Sequence, residues 1–186
     1  MPNLAQALTA IDAANSADPT VEDGKPAALL YGERMTAELD ALFPDASEVL
    51  QIAARGQHIE RWLLPRKDYP MGKAGYYAWR KEQGRRHSER VAGIMADAGY
   101  GEEAQARAGV LLRKEGIKKD AEVQALEDVI CFTFIRWYLG PFAETRSAED
   151  LEKIVVKTAR KMSEAARTRA LGEFPMPDNL AAAFKV

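Results

Sequence analysis

Residues 87–116, HSERVAGIMADAGYGEEAQARAGVLLRKEG, contain two apolar helical stripes separated by Gly99. Apolar residues that recur every three or four positions are typical of amphipathic helices. The first stripe places His87 on one face with Val91, Ile94, Met95 and Ala98. The second stripe, which Glu115 continues, consists of Ala104, Ala108, Leu111 and Leu112. The pattern predicts helices over residues 76–98 and 102–115, the second closed by Gly116.

The same period extends over most of the chain. Asp45 and Glu48 predict a capping box at the start of one helix, while Asp120 and Ser147 are candidate N-caps for two others. No run alternates apolar and polar residues as a strand would, and residues 15–26 resemble a loop. We therefore expect an all-α, single-domain helical bundle over residues 1–186, with further helices over residues 3–14, 28–43, 46–64, 121–139 and 147–171, and a short one over 179–184.

Bulk composition excludes several classes of protein. A net charge of -2 argues against a general nucleic-acid binder, and no apolar run approaches the ~20 residues of a membrane span. The single cysteine, Cys131, lies in an apolar run, which predicts a buried thiol in a reducing compartment. We expect a cytoplasmic protein with no nucleic-acid or membrane partner. An oligomer is compatible with the sequence.

Several titratable residues lie on the apolar faces of their predicted helices. His58 follows Leu50 and Ala54 within the 46–64 helix, and we expect one of the neighbouring acids Glu127 and Asp128 to be buried. Buried carboxylates are costly unless they are paired, hydrogen-bonded or bound to a metal.

Two interpretations follow for these inward-facing groups. The acids could pair with arginines such as Arg61, Arg80, Arg113 or Arg136, with both histidines as core residues. Alternatively, four side chains on four successive predicted helices could bind a divalent transition metal, Zn, Mn, Fe or Ni: His58, His87, Glu115 and Asp128. The sequence contains no GxGxxG, P-loop, HExxH, GxSxG or cysteine-pair motif that would favour another chemistry.

The segment 87–120 resembles the opening of HD-domain phosphohydrolases, in which a histidine-bearing helix and an apolar hairpin precede a Leu-Leu-His-Asp motif. Here Leu111-Leu112 is followed by Arg113-Lys114, so a cationic pair replaces the metal-binding His-Asp pair. The resemblance implies an HD-like fold. It also implies that a metal would require Glu115 and His58 as substitute ligands, with Asp128 matching the later aspartate.

Longer motifs cover almost the whole chain: LLYGERMTAEL (29–39), PDASEVLQIAARGQHIERW (44–62), PRKDYPMGKAGYYAWR (65–80), LLRKE (111–115) and LEDVICFTF (126–134). Together they resemble the family called domain of unknown function 4202. That resemblance implies an all-α, HD-like fold and brings no established reaction.

The leading hypothesis is a metal-dependent, hydrolase-like enzyme that acts on a small anionic substrate, such as a phosphate ester or nucleotide. The metal would lower the pKa of a bound water, with Glu127, Arg61 and Arg113 as catalytic groups. Arginine and lysine side chains would hold the anion, namely Arg66, Lys73, Arg80 and Lys114. The alternative is a metal-free helical binding or scaffold protein with a degenerate HD-like site.

Overall fold

A computed structural model describes residues 1–185 and confirms the all-α fold class. The chain groups into two compact units, Met1–Glu115 and Gly116–Val186. Within residues 1–185, no helix is both long and apolar enough to cross a lipid bilayer. One domain over residues 1–186 and the HD-like relationship stay predictions.

The first unit contains five α-helices. They are α1 (Leu4–Asn15), α2 (Ala27–Leu42), α3 (Glu48–Arg55), α4 (Lys73–Asp97) and α5 (Glu102–Arg113). The predicted inward faces of α4 and α5 are confirmed, because Val91, Met95 and Leu111 are fully buried. These side chains form one core with Ile11, Met35, Leu39 and Ile52. The α4–α5 hairpin therefore supplies one wall of this unit.

The loop predicted over residues 15–26 contains a small hairpin that the sequence analysis missed. Strands β1 (Val21–Glu22) and β2 (Lys25–Pro26) pair antiparallel. Asp23 and Gly24 connect them with φ values of 49° and 77°, as a two-residue hairpin turn requires. The Asp-Gly pair was the local signal for this turn.

The helix predicted over residues 46–64 is much shorter than expected. Its N-cap is Ser47, whose hydroxyl accepts from the Leu50 backbone N–H at 3.1 Å, so the predicted Asp45 cap is wrong. The helix ends at Arg55, and His58 lies in the turn that follows rather than on a helix face. Two 3₁₀ turns, Arg61–Leu63 and Arg66–Asp68, lead to α4.

The end of α5 also differs from the prediction. Lys114 adopts the left-handed conformation, with φ of 59°, and its N–H donates to Leu111 O at 3.0 Å. The helix therefore closes two residues before Gly116. Glu115 leaves the apolar stripe and is exposed to solvent.

The second unit contains α6 (Ala121–Thr133), a π-helical turn (Phe134–Tyr138), α7 (Leu139–Glu144), α8 (Ala148–Lys161), α9 (Glu164–Glu173) and α10 (Asp178–Ala181), followed by a 3₁₀ turn (Ala182–Phe184). Asp120 and Ser147 cap α6 and α8 as predicted. The helix predicted over residues 121–139 was expected to end before Gly140-Pro141, and this prediction is wrong. Pro141 lies in the first turn of α7, where its missing N–H is not needed.

The predicted 147–171 helix is two helices. Met162 is extended, and Ser163 caps α9 by accepting from Ala166 N–H at 3.1 Å. Asp128 explains this break, because its carboxylate accepts from the Ser163 backbone N–H at 2.8 Å and from its hydroxyl at 2.7 Å. Cys131 is buried, as expected, and forms no disulfide within residues 1–185.

Candidate anion-binding pocket

The turn between α3 and α4 is held in place by hydrogen bonds from two helices. Glu60 has a left-handed backbone, with φ of 50°, and its N–H donates to Asn15 Oδ1 of α1 at 3.1 Å. From α4, Trp79 Nε1 and Gln83 Nε2 donate to Leu64 O at 2.9 and 3.1 Å. These contacts fix the positions of His58 and Arg61 relative to α4.

The two histidines lie side by side, with ring centroids 6.5 Å apart. The His58 ring stacks on Tyr31, with centroids 3.7 Å apart. Removal from water, reinforced by the charge of Arg61, holds the pKa of His58 well below its usual value. Removal from water, with the charges of Arg61 and Arg80 nearby, lowers the pKa of His87 to about 3. A hydrogen bond with the Gln57 backbone acts in the opposite direction and raises this pKa, but it does not offset the burial. Both imidazoles are therefore uncharged at neutral pH.

Arg61 is oriented by two contacts from aromatic groups. Its Nη1 donates to His58 Nε2 at 2.7 Å, and its guanidinium carbon lies 4.8 Å from the centre of the Trp79 ring. Removal from water and the nearby Arg80 charge lower the pKa of Arg61 to about 10. The guanidinium stays charged at neutral pH, and no carboxylate of residues 1–185 pairs with it.

Arg80 differs from the other arginines of α4. Arg85, Arg86 and Arg90 pair with carboxylates on the solvent-facing side: Glu82, Glu89 and Glu60. Arg80 is half-buried and, within the described part of the chain, has no hydrogen bond or ion pair. Two arginines thus bring positive charge to the same place with no carboxylate to balance it.

These groups line a cavity of about 380 Å³ in the first unit. The floor of the cavity is defined by three buried side chains from the α3–α4 turn and α4, namely Gln57, Gln83 and His87. Its rim consists of five cations and one carboxylate: Arg61, Arg80, Lys81, Arg113, Lys114 and Glu115. Arg113 Nε donates to Glu115 Oε1 at 2.7 Å, so this acid is already neutralised. The cavity can accept an anion by charge and a small metabolite by size.

The structure brings together six residues that the sequence singled out, namely Arg61, Arg80, His87, Arg113, Lys114 and Glu115. Arg66 and Lys73 do not line the cavity. The Arg66 guanidinium instead donates to Tyr69 O and Pro70 O, each at 2.9 Å, and holds the loop before α4. Lys73 is exposed, with its ammonium 5.8 Å from the centre of the Tyr77 ring.

Glu127 and Asp128 lie in the second unit, on α6, and both are buried. The Lys161 ammonium is 3.6 Å from Glu127 Oε1. Asp128 Oδ1 accepts from Gln124 Nε2 at 2.9 Å in addition to the Ser163 backbone. These contacts give both acids a structural role inside the second unit.

The four predicted metal ligands do not form a ligand set as they are placed. His58 Nε2 accepts from Arg61, Glu115 pairs with Arg113, and Asp128 accepts from the hydroxyl of Ser163, the N-cap of α9. Across residues 1–185, no three His, Cys, Asp or Glu side chains are grouped so that they could hold a metal ion. The cationic rim is also an unfavourable neighbour for a divalent cation. We derive no step through a metal, and metal binding stays a prediction.

Six residues that line the cavity were not among the predicted site residues: Gln57, Tyr77, Lys81, Gln83, Gly84 and Leu112. The sequence contained a signal for Gln83, because Arg80, Gln83 and His87 follow one another at helical spacing and share a face of α4. The predicted inward face of this helix began at His87 and therefore did not include Gln83.

Comparison with known proteins gives one match. The sequence model of the family described as Domain of unknown function (DUF4202) matches residues 5–183. No curated protein and no solved structure is similar enough to this chain to count as a match.

Proposed function

The chain belongs to the DUF4202 family, and from the chemistry of its pocket we propose that it binds a small phosphorylated or carboxylated metabolite. Arginine is suited to this role because its planar fork donates two parallel hydrogen bonds to a phosphate or carboxylate. The proposal keeps the small anionic ligand that the sequence predicts. It combines that ligand with the alternative hypothesis of a metal-free binding protein.

The observation that carries the proposal is the unbalanced charge of Arg61 and Arg80. Arg61 is removed from water strongly enough for the pKa of its guanidinium to fall to about 10, with Arg80 contributing to that shift. Two like charges held close together, each without a carboxylate, destabilise the unliganded protein. A bound anion would remove that cost and recover it as binding free energy.

The contacts of Arg61 make the pocket ready for an anion. His58 Nε2 and the Trp79 ring hold the guanidinium in one orientation. Gln83 Nε2 also donates to Arg61 O at 3.2 Å, which ties the backbone at this position to α4. Less conformational entropy is therefore lost when the anion binds.

Hydrolysis of a bound phosphate ester is the reaction class that the sequence predicts, and it stays a prediction. Of the groups named for that chemistry, Arg61 and Arg113 line the pocket, whereas Glu127 belongs to the second unit. We propose that the protein acts in the cytoplasm, in keeping with its single, buried cysteine, Cys131.

Titration calorimetry with inorganic phosphate tests the proposal. Arg61→Ala and Arg80→Ala should each weaken binding about 10- to 100-fold, as expected for loss of one charge-assisted contact. Arg160→Ala is the matched control, because Arg160 is an exposed arginine of the second unit with no hydrogen bond or ion pair within residues 1–185. Equal weakening by all three substitutions, or no phosphate binding by the wild type, would overturn the proposal.

A further inference from the structure

The floor of the pocket contains two buried polar atoms that have no hydrogen-bond partner within residues 1–185, Gln57 Oε1 and His87 Nε2. The two side chains are only 5% and 4% exposed, respectively, and both line the cavity. Buried polar groups are nearly always hydrogen-bonded, so two such atoms in one cavity indicate a partner that arrives with a ligand.

Both atoms are hydrogen-bond acceptors. Gln57 Oε1 is an amide oxygen, which can only accept. The His87 ring hydrogen-bonds to the Gln57 backbone, and Nε2 is the ring nitrogen left without a partner within residues 1–185. In the tautomer that donates its Nδ1 proton to that backbone, Nε2 presents its lone pair to the cavity. The floor therefore requires a group that donates hydrogen bonds.

The rim restricts what that donor can be. An ammonium group would be repelled by the two unbalanced guanidinium groups of Arg61 and Arg80, which line the same cavity. A neutral hydroxyl group donates without bringing positive charge. A bare phosphate would leave most of a cavity of about 380 Å³ unfilled, since that volume is within the range of small-molecule sites.

We propose that the pocket recognises a phosphorylated polyol or sugar, with the phosphate at Arg61 and Arg80 and hydroxyl groups donating to Gln57 Oε1 and His87 Nε2. This inference rests on the proposed function, because the phosphate end occupies the anion site described above. It adds the chemical class of the remainder of the ligand. Sites built to hydrogen-bond hydroxyl groups discriminate strongly against analogues that lack them, because their buried polar atoms are then left without partners.

The test compares two phosphate monoesters of equal chain length and charge, glucitol 6-phosphate and n-hexyl phosphate, by titration calorimetry on the full-length protein. The wild type should bind glucitol 6-phosphate at least about tenfold more tightly, as expected for one or two additional hydrogen bonds. The affinity ratio of the two esters is the readout, since it cancels effects on the phosphate end.

Three substitutions locate the hydroxyl contacts. Gln57→Met and His87→Leu should reduce the ratio towards one, whereas Gln57→Glu retains an accepting oxygen and should preserve it. Arg61→Ala should weaken both esters equally and leave the ratio unchanged. Circular dichroism checks that each variant is folded. The wild-type ratio decides whether hydroxyl groups are recognised, even where a variant fails to fold.

The outcomes separate this inference from the proposed function. If the wild type binds both esters equally well, the hydroxyl-recognition inference is overturned while the anion site stands. If it binds neither ester and no inorganic phosphate, the proposed function fails and the inference fails with it. If the ratio is high but Gln57→Met and His87→Leu both retain it, the hydroxyl groups bind elsewhere and the assigned floor is wrong.

Discussion

At the residue scale, His87 shows how burial and neighbouring charge set the character of one side chain. The residue is 4% exposed, and its removal from water, with the nearby guanidinium groups of Arg61 and Arg80, lowers its pKa to about 3. A charged imidazole in this place would be both desolvated and repelled. The neutral form is retained, and it offers a lone pair that a cationic histidine would lack.

A pH dependence of stability follows from this shift. In the unfolded chain the pKa of a histidine is near 6.5, so between about pH 6.5 and 3 the unfolded state binds a proton that folded His87 does not. The free energy of unfolding should thus fall as pH decreases through 6.5, by up to about 1.4 kcal/mol per pH unit from this residue. His87→Gln should remove that contribution.

Urea unfolding at pH 7.5 and pH 5.0 measures the effect. The wild type should lose up to about 2 kcal/mol more than His87→Gln between these two values. Asp and Glu side chains contribute to acid sensitivity in both proteins, so only the difference between them is diagnostic. Equal losses would contradict a neutral, buried His87.

Asp128 shows at the same scale why residue type alone is a weak guide to function. The sequence predicted that one of Glu127 and Asp128 is a buried carboxylate in need of partners, and in the structure both acids are buried. The partners are the Ser163 backbone N–H, the Ser163 hydroxyl and Gln124 Nε2. The local sequence pattern around a buried acid is the same whether the acid binds a metal or, as here, accepts a hydrogen bond from the start of a helix 35 residues later.

At the element scale, α4 carries most of the pocket. Its 25 residues present one face to the core and hold the α3–α4 turn through Trp79 and Gln83. The end of α5 then brings Arg113 and Lys114 to the same cavity. Gly84 of α4 lies where the two helices approach each other: a Cβ there would be 3.6 Å from the Arg113 Cα.

Two glycines within α4 allow a matched test of this helix contact. A Cβ at Gly84 would make ordinary van der Waals contacts, and a Cβ at Gly93 would meet nothing within 4 Å. Because alanine is favoured over glycine inside helices, Gly84→Ala and Gly93→Ala should each raise the free energy of unfolding by about 0.5–1 kcal/mol. Thermal or urea unfolding measures both changes. A loss of stability for Gly84→Ala alone would mean that α4 and α5 approach more closely than described.

The helix boundaries explain which predictions about elements were wrong. Periodicity and caps located every major helix of the first unit, but the predicted end of α3 was nine residues too late. Glu60 departs from helical geometry with support from Asn15, which is 45 residues away in sequence. No local pattern reports such a contact, so His58 was assigned to a helix face that does not exist.

At the scale of the whole molecule, the chain divides into a unit that holds the pocket and a unit that holds Glu127 and Asp128. The residues that line the cavity and the two buried acids, which the sequence predicted to form one site, belong to different units. The acids stabilise α6 and the start of α9 within their own unit. We therefore expect the proposed anion binding to depend on residues of the first unit.

Binding should stabilise the whole fold without a metal. A ligand that binds only the folded state raises the free energy of unfolding by about 2.7 kcal/mol at 100 times its dissociation constant. Inorganic phosphate should therefore raise the melting temperature of the wild type, both before and after treatment with a chelator. Arg61→Ala should abolish most of this increase, and Arg160→Ala should leave it intact.

Elemental analysis of the same samples, purified without a polyhistidine tag, supplies the control. One equivalent of transition metal, with loss of the phosphate effect after chelation, would contradict a site made only of side chains and restore the metal-dependent hypothesis.

Local sequence patterns were sufficient to predict the all-α class, the caps at Asp120 and Ser147, the buried thiol and the inward face that carries His87. These features depend on residues within a few turns of one another, and local spacing records them directly. Only the tertiary structure decided which cations meet, because Arg61, Arg80 and Lys114 come from three separate segments. It also decided which acids were already paired. Both outcomes depend on contacts between residues that are distant in sequence, and helical periodicity carries no information about them.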